Sequence, residues 1–397
     1  MIGLLNNREK KIALFDLGHA ACRLLVIDNE SGTFKLFQQP ISGYAKGKVT
    51  VPGQFSESVA ALVKDAGLAP SRYKAIVNIS DLNTRYVLKS LQHRTSGTYG
   101  SSDYTAILDS AVDTASGDLD EVIDSLVVSA RLDDSPLSML SFGSAGRGVS
   151  LQIMLATHPK LILADILSGM NAAGVEVSEF RSNGLGLARA LKYLRPEAEN
   201  AVLIDLGHST STGAVMIGGH FQKVFSLPVG SHHITRDLMA GLDCPEDSAE
   251  ALKLAHGVSP IAEVPAGNAL YMQRFLRPRV LEILGMAGKN FALYARALDG
   301  GLLFCGGGSQ LTGLASVSGK AFNCGQPFVC QLSNKSLEAY LGLSSQNPMV
   351  SVGSAWLSVL SHGRAALAEL AAFQVERDAR PLSRLRPLWT WLSELSR

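Results

Sequence analysis

Two copies of the tetrapeptide Asp-Leu-Gly-His, at residues 16–19 and 205–208, carry the groups best suited to chemistry in this chain. Each copy follows an apolar run typical of a buried strand, and each delivers a carboxylate directly into a glycine turn. A plain turn needs only the glycine, whereas a carboxylate followed by amides and hydroxyls suits a phosphate and its metal ion. The pattern therefore predicts two phosphate-binding loops. Their candidate residues are Asp16, Gly18, His19, Asp205, Gly207, His208, Ser209 and Thr210.

A third candidate loop, CGGGSQL at 305–311, follows another apolar strand late in the chain. Three consecutive glycines let the backbone pass close to a bulky ligand, where any Cβ atom would collide. A helix that begins near the end of this loop would point its free amides and its positive dipole end at the same ligand. A plain strand-to-helix turn explains one glycine but not three. The candidate residues are Gly306, Gly307, Gly308 and Ser309.

The two Asp-Leu-Gly-His copies are 189 residues apart, close to half of the 397-residue chain. Each is followed by a second apolar strand, a glycine-containing turn and a third strand. A repeat at this spacing indicates a duplicated β-meander that opens two similar halves, with the three loops around a cleft between them. Elsewhere the spacing predicts helices at 55–66, 103–115, 158–174, 231–240, 247–256 and about 269–298, and strands at 74–79 and 149–157.

Composition restricts the class of protein further. A chain of 397 residues has room for two domains, each with its own core. The formal net charge of +1 argues against nucleic-acid binding, which needs a basic excess. Five cysteines without a CxxC pair favour reduced, buried thiols. Because the sequence begins without a signal-peptide pattern and lacks an apolar run of about 18 residues, it predicts a soluble cytoplasmic protein unless another element ties it to a membrane.

His19 and His208 occupy corresponding places in the two loops. A two-histidine metal site would need further ligands, and the sequence suggests none. We therefore interpret both side chains as neutral donors that face phosphate oxygens, or as loop packing. His232 and His233 follow a strand end, where a surface position is the ordinary expectation.

The order of these motifs resembles that of the actin-like ATPase superfamily, and in detail that of FtsA, its bacterial cell-division family. The two Asp-Leu-Gly-His loops look like the family's phosphate loops, and residues 305–314 look like its adenosine loop. EDSAEALKLAHG at 246–257 is similar to the family's A-E-x-x-K-x-x-x-G helix, which implies that Glu250 and Lys253 lie near ribose and adenine. Two further segments that resemble the family are GYAKGKV at 43–49 and RPRVLEIL at 277–284.

The resemblance implies an α/β protein with the actin-like, RNase H-like duplicated fold: two lobes, a nucleotide cleft, and an FtsA-type extra subdomain in lobe one. Lobe one would span 11–198, with the extra subdomain at about 75–155 and a returning segment at about 346–365. Lobe two would span 199–345, with a small subdomain at about 233–302. A linker at 366–380 and an amphipathic helix at 381–397 would end the chain.

The resemblance also implies a function. It is that of an actin-like, nucleotide-binding cell-division protein that forms filaments on the cytoplasmic face of the cell membrane at the septum and tethers the FtsZ ring. ATP or ADP would lie in the cleft, with Mg²⁺ held through water by Asp16 and Asp205. The FtsZ C-terminal peptide would bind Arg274, Arg277 and Arg279, whose guanidinium groups suit its carboxylates; an ordinary solvated helix face is the alternative. Other divisome proteins are further implied partners.

The chain departs from the family at positions that bear on hydrolysis. The family's first loop carries a hydroxyl and a lysine where this chain has His19 and Ala21, and Arg23 lies two positions further, on the same strand face. Thr212 stands where the family often has aspartate. The family's glutamine-and-acid segment has no clear counterpart in residues 127–136. Because phosphoryl transfer depends on positioning and charge stabilisation, these losses predict nucleotide binding with weak or absent ATPase activity and leave catalytic residues unassigned.

Two other functions stay open from the sequence. PilM, a type IV pilus assembly ATPase that binds a short peptide of a membrane partner, shares the subdomain layout. A sugar or acid kinase of the same superfamily would need a carboxylate base facing an acceptor hydroxyl, and every acidic candidate is explained equally well by a turn. The end of the chain favours FtsA, because FtsA proteins commonly end in a linker and an amphipathic helix and PilM does not.

The last residues predict a membrane anchor. A helix would begin near Pro387, since proline fits the first helical turn. Three arginines precede it and suit anionic headgroups, and tryptophan prefers the bilayer interface. Docking of the same face on the protein's own lobes is the alternative. The residues of the apolar face are Leu388, Trp389, Trp391, Leu392 and Leu395.

Overall fold

The structure is a computed structural model of the 397-residue chain. It describes residues 11–68, 73–137, 142–258, 270, 272–325, 327–347 and 353–377. The predicted C-terminal helix, with its membrane-facing residues Leu388, Trp389, Trp391, Leu392 and Leu395, lies outside the described residues. Within the described ranges, no helix combines the length and the apolar character needed to cross a membrane.

The described part of the chain contains both strands and helices. The strands are β1 (Lys11–Leu17), β2 (Ala21–Asp28), β3 (Thr33–Pro40), β4 (Tyr44–Ala45), β5 (Lys48–Val49), β6 (Tyr73–Ile79), β7 (Arg85–Thr98), β8 (Asp120–Leu132), β9 (Ser135–Pro136), β10 (Ala145–Pro159), β11 (Val177–Ser182), β12 (Ala201–Leu206), β13 (Ser211–Ile217), β14 (His220–Leu227), β15 (Gly301–Cys305), β16 (Phe328–Val329) and β17 (Ser344–Ser345). The described α-helices are α1 (Pro52–Asp65), α2 (Ser101–Ala115), α3 (Lys160–Ala172), α4 (Asn183–Leu194), α5 (Ser231–Leu242), α6 (Glu246–His256), α7 (Arg277–Gly288), α8 (Leu314–Phe322), α9 (Asn334–Leu341) and α10 (Leu357–Arg377).

Two sheets share one topology, which confirms the predicted duplication. The first has the strand order β11-β6-β1-β2-β3-β17, and the second has the order β14-β13-β12-β15-β16. Each contains an antiparallel meander, β1–β3 or β12–β14, and adds two parallel strands beside the first strand of that meander. Within each sheet the parallel strands end at the same edge, and residues of the turns after β1, β6, β12 and β15 line one cleft.

Buried apolar residues explain why these strands are central. All of Ile12–Phe15 in β1 and all of Ala201–Ile204 in β12 are buried, as expected for strands covered on both faces. Helices α1 and α3 cover one face of the first sheet through residues such as Phe55 and Ile166. Trp356 and the start of α10 cover the other face. Helix α4 joins the two sheets, since its apolar residues share one core with residues of β1 and β12.

The extra subdomain has its own sheet, with the strand order β7-β10-β8-β9, and packs α2 against one face. Tyr99, Ile107 and Leu155 are among the buried residues of this second core. The subdomain is predicted at about 75–155, but β6 belongs to the first sheet because it pairs in parallel with β1. The separate sheet therefore begins at Arg85 and continues to Pro159.

Two predicted boundaries differ from the structure. The helix predicted at about 269–298 is broken into a π-helical turn at Met272–Leu276, α7, and a 3-10 turn at Ala292–Ala297. Pro278 explains the first break, since proline is accommodated in the first turn of a helix and not in its interior. At the other boundary, α10 continues to Arg377 through most of the predicted linker.

Candidate functional site

The three predicted loops meet in a cleft of about 280 Å³ at the carboxyl ends of β1, β12 and β15. Ser309 does not line this cleft; it is buried behind it, where its hydroxyl donates to the Gly306 carbonyl oxygen at 2.8 Å. The other predicted nucleotide-site residues all line it: Asp16, Gly18, His19, Asp205, Gly207, His208, Ser209, Thr210, Glu250, Lys253, Gly306, Gly307 and Gly308.

The first and second loops make the same tight turn. The Gly18 amide donates to the Ala21 carbonyl oxygen at 3.2 Å, and the Gly207 amide donates to the Thr210 carbonyl oxygen at 3.0 Å. A Cβ atom on Gly18 would lie 2.8 Å from the Ala21 oxygen, and one on Gly207 would lie 2.7 Å from the Thr210 oxygen. Both loops therefore require glycine for closure, as the repeated sequence indicates.

The turn at 306–308 requires glycine at more than one of its three positions. Gly306 has φ +84°, and a Cβ atom there would lie 2.0 Å from Oδ1 of Asp205. A Cβ atom on Gly308 would lie 2.7 Å from Cγ of Leu206. Gly307 differs, because nothing lies within 4 Å of its Cβ position and the residue faces the cleft. Two glycines let the turn pack on the second loop, and the third leaves space for a ligand.

Glu250 and Lys253 form a closed hydrogen-bonded group with Thr235 beneath the cleft. The Lys253 Nζ atom lies 2.7 Å from Oε2 of Glu250 and donates to Thr235 Oγ1 at 3.0 Å. The Thr235 hydroxyl in turn donates to Glu250 Oε2 at 2.6 Å. Burial alone would raise the pKa of Glu250, but the bonds from Lys253 and Thr235 bring it below its ordinary value. The pair is fixed on α6, one turn apart, as the resemblance implies.

The two loop aspartates differ in their partners. Asp16 accepts Arg23 Nη1 on Oδ2 at 3.0 Å and Asn78 Nδ2 on Oδ1 at 2.8 Å. Asp205 accepts Asn183 Nδ2 on Oδ2 at 3.1 Å. Burial raises the pKa of Asp205 to about 6, and the nearby charge of Asp16 adds to the rise. Lobe one thus neutralises its carboxylate with a guanidinium, and lobe two leaves its carboxylate without a cationic partner among the described residues.

A hydrogen-bonded chain joins these two carboxylates through α10. Asn78 Nδ2, which donates to Asp16, also lies 3.4 Å from Ser358 Oγ. The Ser358 hydroxyl donates to the Asn183 backbone oxygen at 3.2 Å, and the Asn183 amide reaches Asp205. The first turn of α10 is therefore tied to both loops.

The predicted magnesium ion would be held through water by Asp16 and Asp205, and the surroundings of these carboxylates disfavour direct coordination of a cation. Mg²⁺ binds through carboxylates and water with octahedral geometry. Both oxygens of Asp16 already accept hydrogen bonds, and a cation facing them would meet the Arg23 guanidinium. The Asp205 Oδ1 atom lies against Gly306. Across the described part of the chain, no group of three or more His, Cys, Asp or Glu side chains could hold a metal ion.

Three histidines from both lobes lie against one another, and two of them, His19 and His208, line the cleft. The rings of His19 and His208 meet edge to face at 4.9 Å, and those of His208 and His232 stack at 4.4 Å. Burial lowers the pKa of His19, and burial together with His232 lowers that of His208 to about 4. Both imidazoles are therefore neutral at pH 7. His232, expected at the surface, has a side chain that is 22% exposed and stacks on His208, because Gly230 lies against the His208 carbonyl oxygen.

Several cleft residues were not predicted as ligands. Lys46 lines the cleft from the β4–β5 hairpin, and Asn183 lines it from the first turn of α4. Asn78, which donates to Asp16 from behind the cleft, lies one residue before the end of β6, and Asn183 directly follows β11. A polar residue at the carboxyl end of a buried parallel strand is the sequence signal that could have found them.

The three arginines predicted for peptide binding lie on and before α7. Arg279 donates to Asp237 from Nε at 2.5 Å and from Nη2 at 3.0 Å, and its Nη1 donates to Glu282 at 2.5 Å. Arg274 is exposed, and Arg277 is partly exposed. Arg279 is therefore already paired with carboxylates of its own chain.

The chain is similar in sequence to FtsA proteins and in fold to a solved PilM chain. The family model "Cell division protein FtsA" matches residues 202–352. The cell division protein FtsA of Neisseria meningitidis serogroup B is 22% identical over 353 residues, covering 80% of this chain and 83% of that protein. The Bacillus subtilis FtsA is 27% identical over 190 residues, which cover 43% of each chain. A solved "PilM-PilN type IV pilus biogenesis complex" chain has a TM-score of 0.62 at 15% identity, covering 91% of this chain and 99% of that one.

These findings confirm two predictions. The resemblance to FtsA, a family of cell-division proteins, is confirmed by the matches in sequence. The actin-like two-lobe fold is confirmed by the duplicated sheets and by the likeness in structure.

Proposed function

We propose that this chain, given its similarity to FtsA, is an actin-like nucleotide-binding protein of cell division. It binds ATP or ADP, forms filaments on the cytoplasmic face of the membrane at the septum, and tethers the FtsZ ring. The observation that carries the proposal is the convergence of both Asp-Leu-Gly-His loops and the glycine turn on one cleft between two duplicated sheets. Such an arrangement presents backbone amides from several turns to one anionic ligand.

The nucleotide pose follows from the shape and charge of the cleft. Phosphates lie near Gly18 and Gly207, where the loops turn most tightly. The nucleoside passes Gly307, the one glycine of its turn that faces open space. Glu250 and Lys253 lie on the adjoining wall, where a fixed carboxylate can accept a hydrogen bond from a ribose hydroxyl.

Hydrolysis is weak or absent in this proposal. A general base must reach the proton it abstracts and hold an open acceptor position. Among the described cleft residues, Asp16 pairs with Arg23 and Glu250 pairs with Lys253. Asp205 accepts a hydrogen bond from Asn183 on one oxygen, and its other oxygen lies against Gly306. Ala21, where the family has lysine, offers no cation to the developing charge.

Partners enter the proposal through two surfaces. The FtsZ C-terminal peptide binds along Arg274, Arg277 and Arg279. Its carboxylates either replace those of Asp237 and Glu282 on Arg279 or bind this guanidinium beside them. The membrane is reached by the tail at 381–397. One short helix is a weak anchor, so filament formation supplies the avidity that stable attachment needs. Other divisome proteins join the assembled filament.

The alternatives have less support. The likeness to the PilM chain, at 15% identity, shows a shared fold and does not transfer its partner. A kinase needs a carboxylate that is free to act on an acceptor hydroxyl. Each carboxylate among the described cleft residues is already bonded to another side chain of the protein.

Reconstitution on vesicles tests the proposed function as a whole. The full chain would be added to anionic vesicles with labelled FtsZ, with and without ATP, and vesicle-bound FtsZ would be measured by sedimentation. We expect recruitment that requires the chain and increases with ATP. Recruitment that is equal without the chain, or equal with an FtsZ lacking its C-terminal peptide, would contradict the proposal.

A further inference from the structure

The guanidinium of Arg23 lies against the first loop and is held there from two sides. Nη1 donates to Asp16 at 3.0 Å, and Nε donates to Gln38 Oε1 at 3.0 Å. A Cβ atom on Gly18 would lie 3.6 Å from Nη1, so the cation is next to the loop's own glycine. The side chain is only 16% exposed. Its position is therefore fixed before any ligand arrives.

Arg23 retains donor capacity for an anion. It lines the cleft, and its Nη2 atom donates to no residue that the structure describes. A guanidinium presents its donors in a planar fork that matches the oxygens of a phosphate, and its charge persists at any physiological pH. A positioned fork beside a tight glycine loop is suited to phosphate oxygens.

The charges of the cleft leave little for a divalent ion. Asp16 is paired with Arg23, and Glu250 is paired with Lys253. Asp205 is the remaining carboxylate, and the described lining also contains the cation Lys46. A divalent ion shared by the two loop aspartates would have to face the Arg23 guanidinium across Asp16, which like charges disfavour.

We propose that Arg23 takes the place of the divalent cation, so that the cleft binds the phosphates of ADP or ATP through this guanidinium without Mg²⁺. The inference rests on the proposed function, because it takes the ligand to be a nucleotide. It assigns to Arg23 the role that a metal ion and a loop lysine share in nucleotide sites of other proteins. It also explains why Ala21 is tolerated two residues earlier on the same strand.

Calorimetric titration of the full chain with ADP and with ATP tests this, in excess EDTA and in excess MgCl₂. We expect the wild type to bind at least as tightly in EDTA as in MgCl₂. Arg23→Gln removes the fork and leaves the Asp16 charge facing the phosphates, so its affinity in EDTA should fall by about tenfold or more. Added MgCl₂ should restore much of that loss, because Asp16 is then available to a cation. Arg147→Gln, an exposed arginine outside the cleft, is the matched control and should change nothing.

The outcomes separate the inference from the function. Wild-type binding that weakens by about tenfold or more in EDTA would overturn the role of Arg23 and leave nucleotide binding in place. Unchanged binding by Arg23→Gln in EDTA would overturn it as well. No binding of either nucleotide in either buffer would end both proposals. If Arg23→Gln does not fold, Arg23→Lys replaces it; this variant keeps the charge and loses the fork, so its affinity in EDTA should fall by an intermediate amount. The affinity of the wild type in EDTA against that in MgCl₂ tests the inference in either case.

Discussion

Arg23 and Thr212 occupy the same position in the two halves of the molecule: Arg23 lies opposite Asp16 across β1 and β2, and Thr212 lies opposite Asp205 across β12 and β13. The arrangement of strands is duplicated, but the charge of the side chain opposite the loop aspartate is not. One half places a guanidinium against its carboxylate, and the other places a hydroxyl-bearing side chain there. One loop carboxylate is therefore paired with a cation and the other is not, among the residues that the structure describes.

A side chain at Gly307, in the third loop, should weaken nucleotide binding without disturbing the fold. Gly307→Val places a branched side chain in the cleft without a clash, because nothing lies within 4 Å of the Cβ position. Nucleotide affinity should fall by about tenfold or more, since the bulk occupies ligand space. Titration with ADP is the measurement, and Gly117→Val, equally open but in the extra subdomain, is the control. Equal affinity for all three proteins would place the nucleotide elsewhere.

The raised pKa of Asp205 predicts how stability depends on pH. Its folded value of about 6 exceeds the ordinary 3.8, so the folded state binds this proton more tightly than the unfolded state. The free energy of unfolding should therefore fall as pH rises from about 4 to about 6, by roughly 2–3 kcal/mol from this group. Urea unfolding of Asp205→Asn should lack that part of the decline, whereas the exposed Asp118→Asn should retain it. Parallel curves for wild type and Asp205→Asn would contradict the assignment.

Arg181 predicts a large loss of stability. Its buried guanidinium contacts Glu179, Asp124 and Glu369, which joins β11 to the extra subdomain and to α10. Arg181→Met leaves buried carboxylates without this partner and should lower the free energy of unfolding by about 3–5 kcal/mol.

The matched control for Arg181 is an exposed pair. Arg85, which is 71% exposed, contacts Asp120, and Arg85→Met should cost about 1 kcal/mol or less. Denaturant unfolding measures both. Similar losses for the two variants would show that the buried network contributes no more than a surface pair.

The arginines near α7 predict a loss of partner binding. Arg274→Glu and Arg279→Glu should each weaken binding of the FtsZ C-terminal peptide by about tenfold or more, because a carboxylate replaces a cation. Fluorescence anisotropy with a labelled peptide is the measurement. Arg296→Glu, exposed on a neighbouring turn, is the control. An unchanged affinity for Arg279→Glu would remove this surface from the proposal.

The tail predicts binding to anionic membranes. The full chain should pellet with anionic liposomes, and a chain ending at Arg380 should remain in the supernatant. Trp391→Glu should reduce pelleting strongly, since it places a charge on the predicted apolar face. Equal pelleting of all three would assign the tail another role.

The sequence predicted the frame well because the frame depends on local patterns. Apolar runs that end in Asp-Leu-Gly-His identify β1 and β12, and their repetition identifies the duplicated sheets. Three consecutive glycines identify the turn after β15. These features need only the pleat of a strand and the space that a turn requires.

The partners of the loop side chains could not be predicted in the same way. The contact of Asp16 with Asn78 joins residues 62 positions apart, and that of Asp205 with Asn183 depends on where α4 begins. The stacking of His232 on His208 depends on the close approach of Gly230 to the second loop. Such contacts are set by packing between elements, which no single local pattern encodes.

The hydrogen-bonded chain from Asp16 to Asp205 passes through Ser358. Helix α10 is therefore connected to both carboxylates of the cleft. Gly186 of α4 permits that closeness, because a Cβ atom there would lie 2.5 Å from Ser358 Oγ. A ligand that shifts either carboxylate therefore changes the hydrogen bonds that hold the first turn of α10. If a partner binds that helix and thereby changes the affinity of the cleft for its ligand, the ligand must change the affinity of that partner by the same factor.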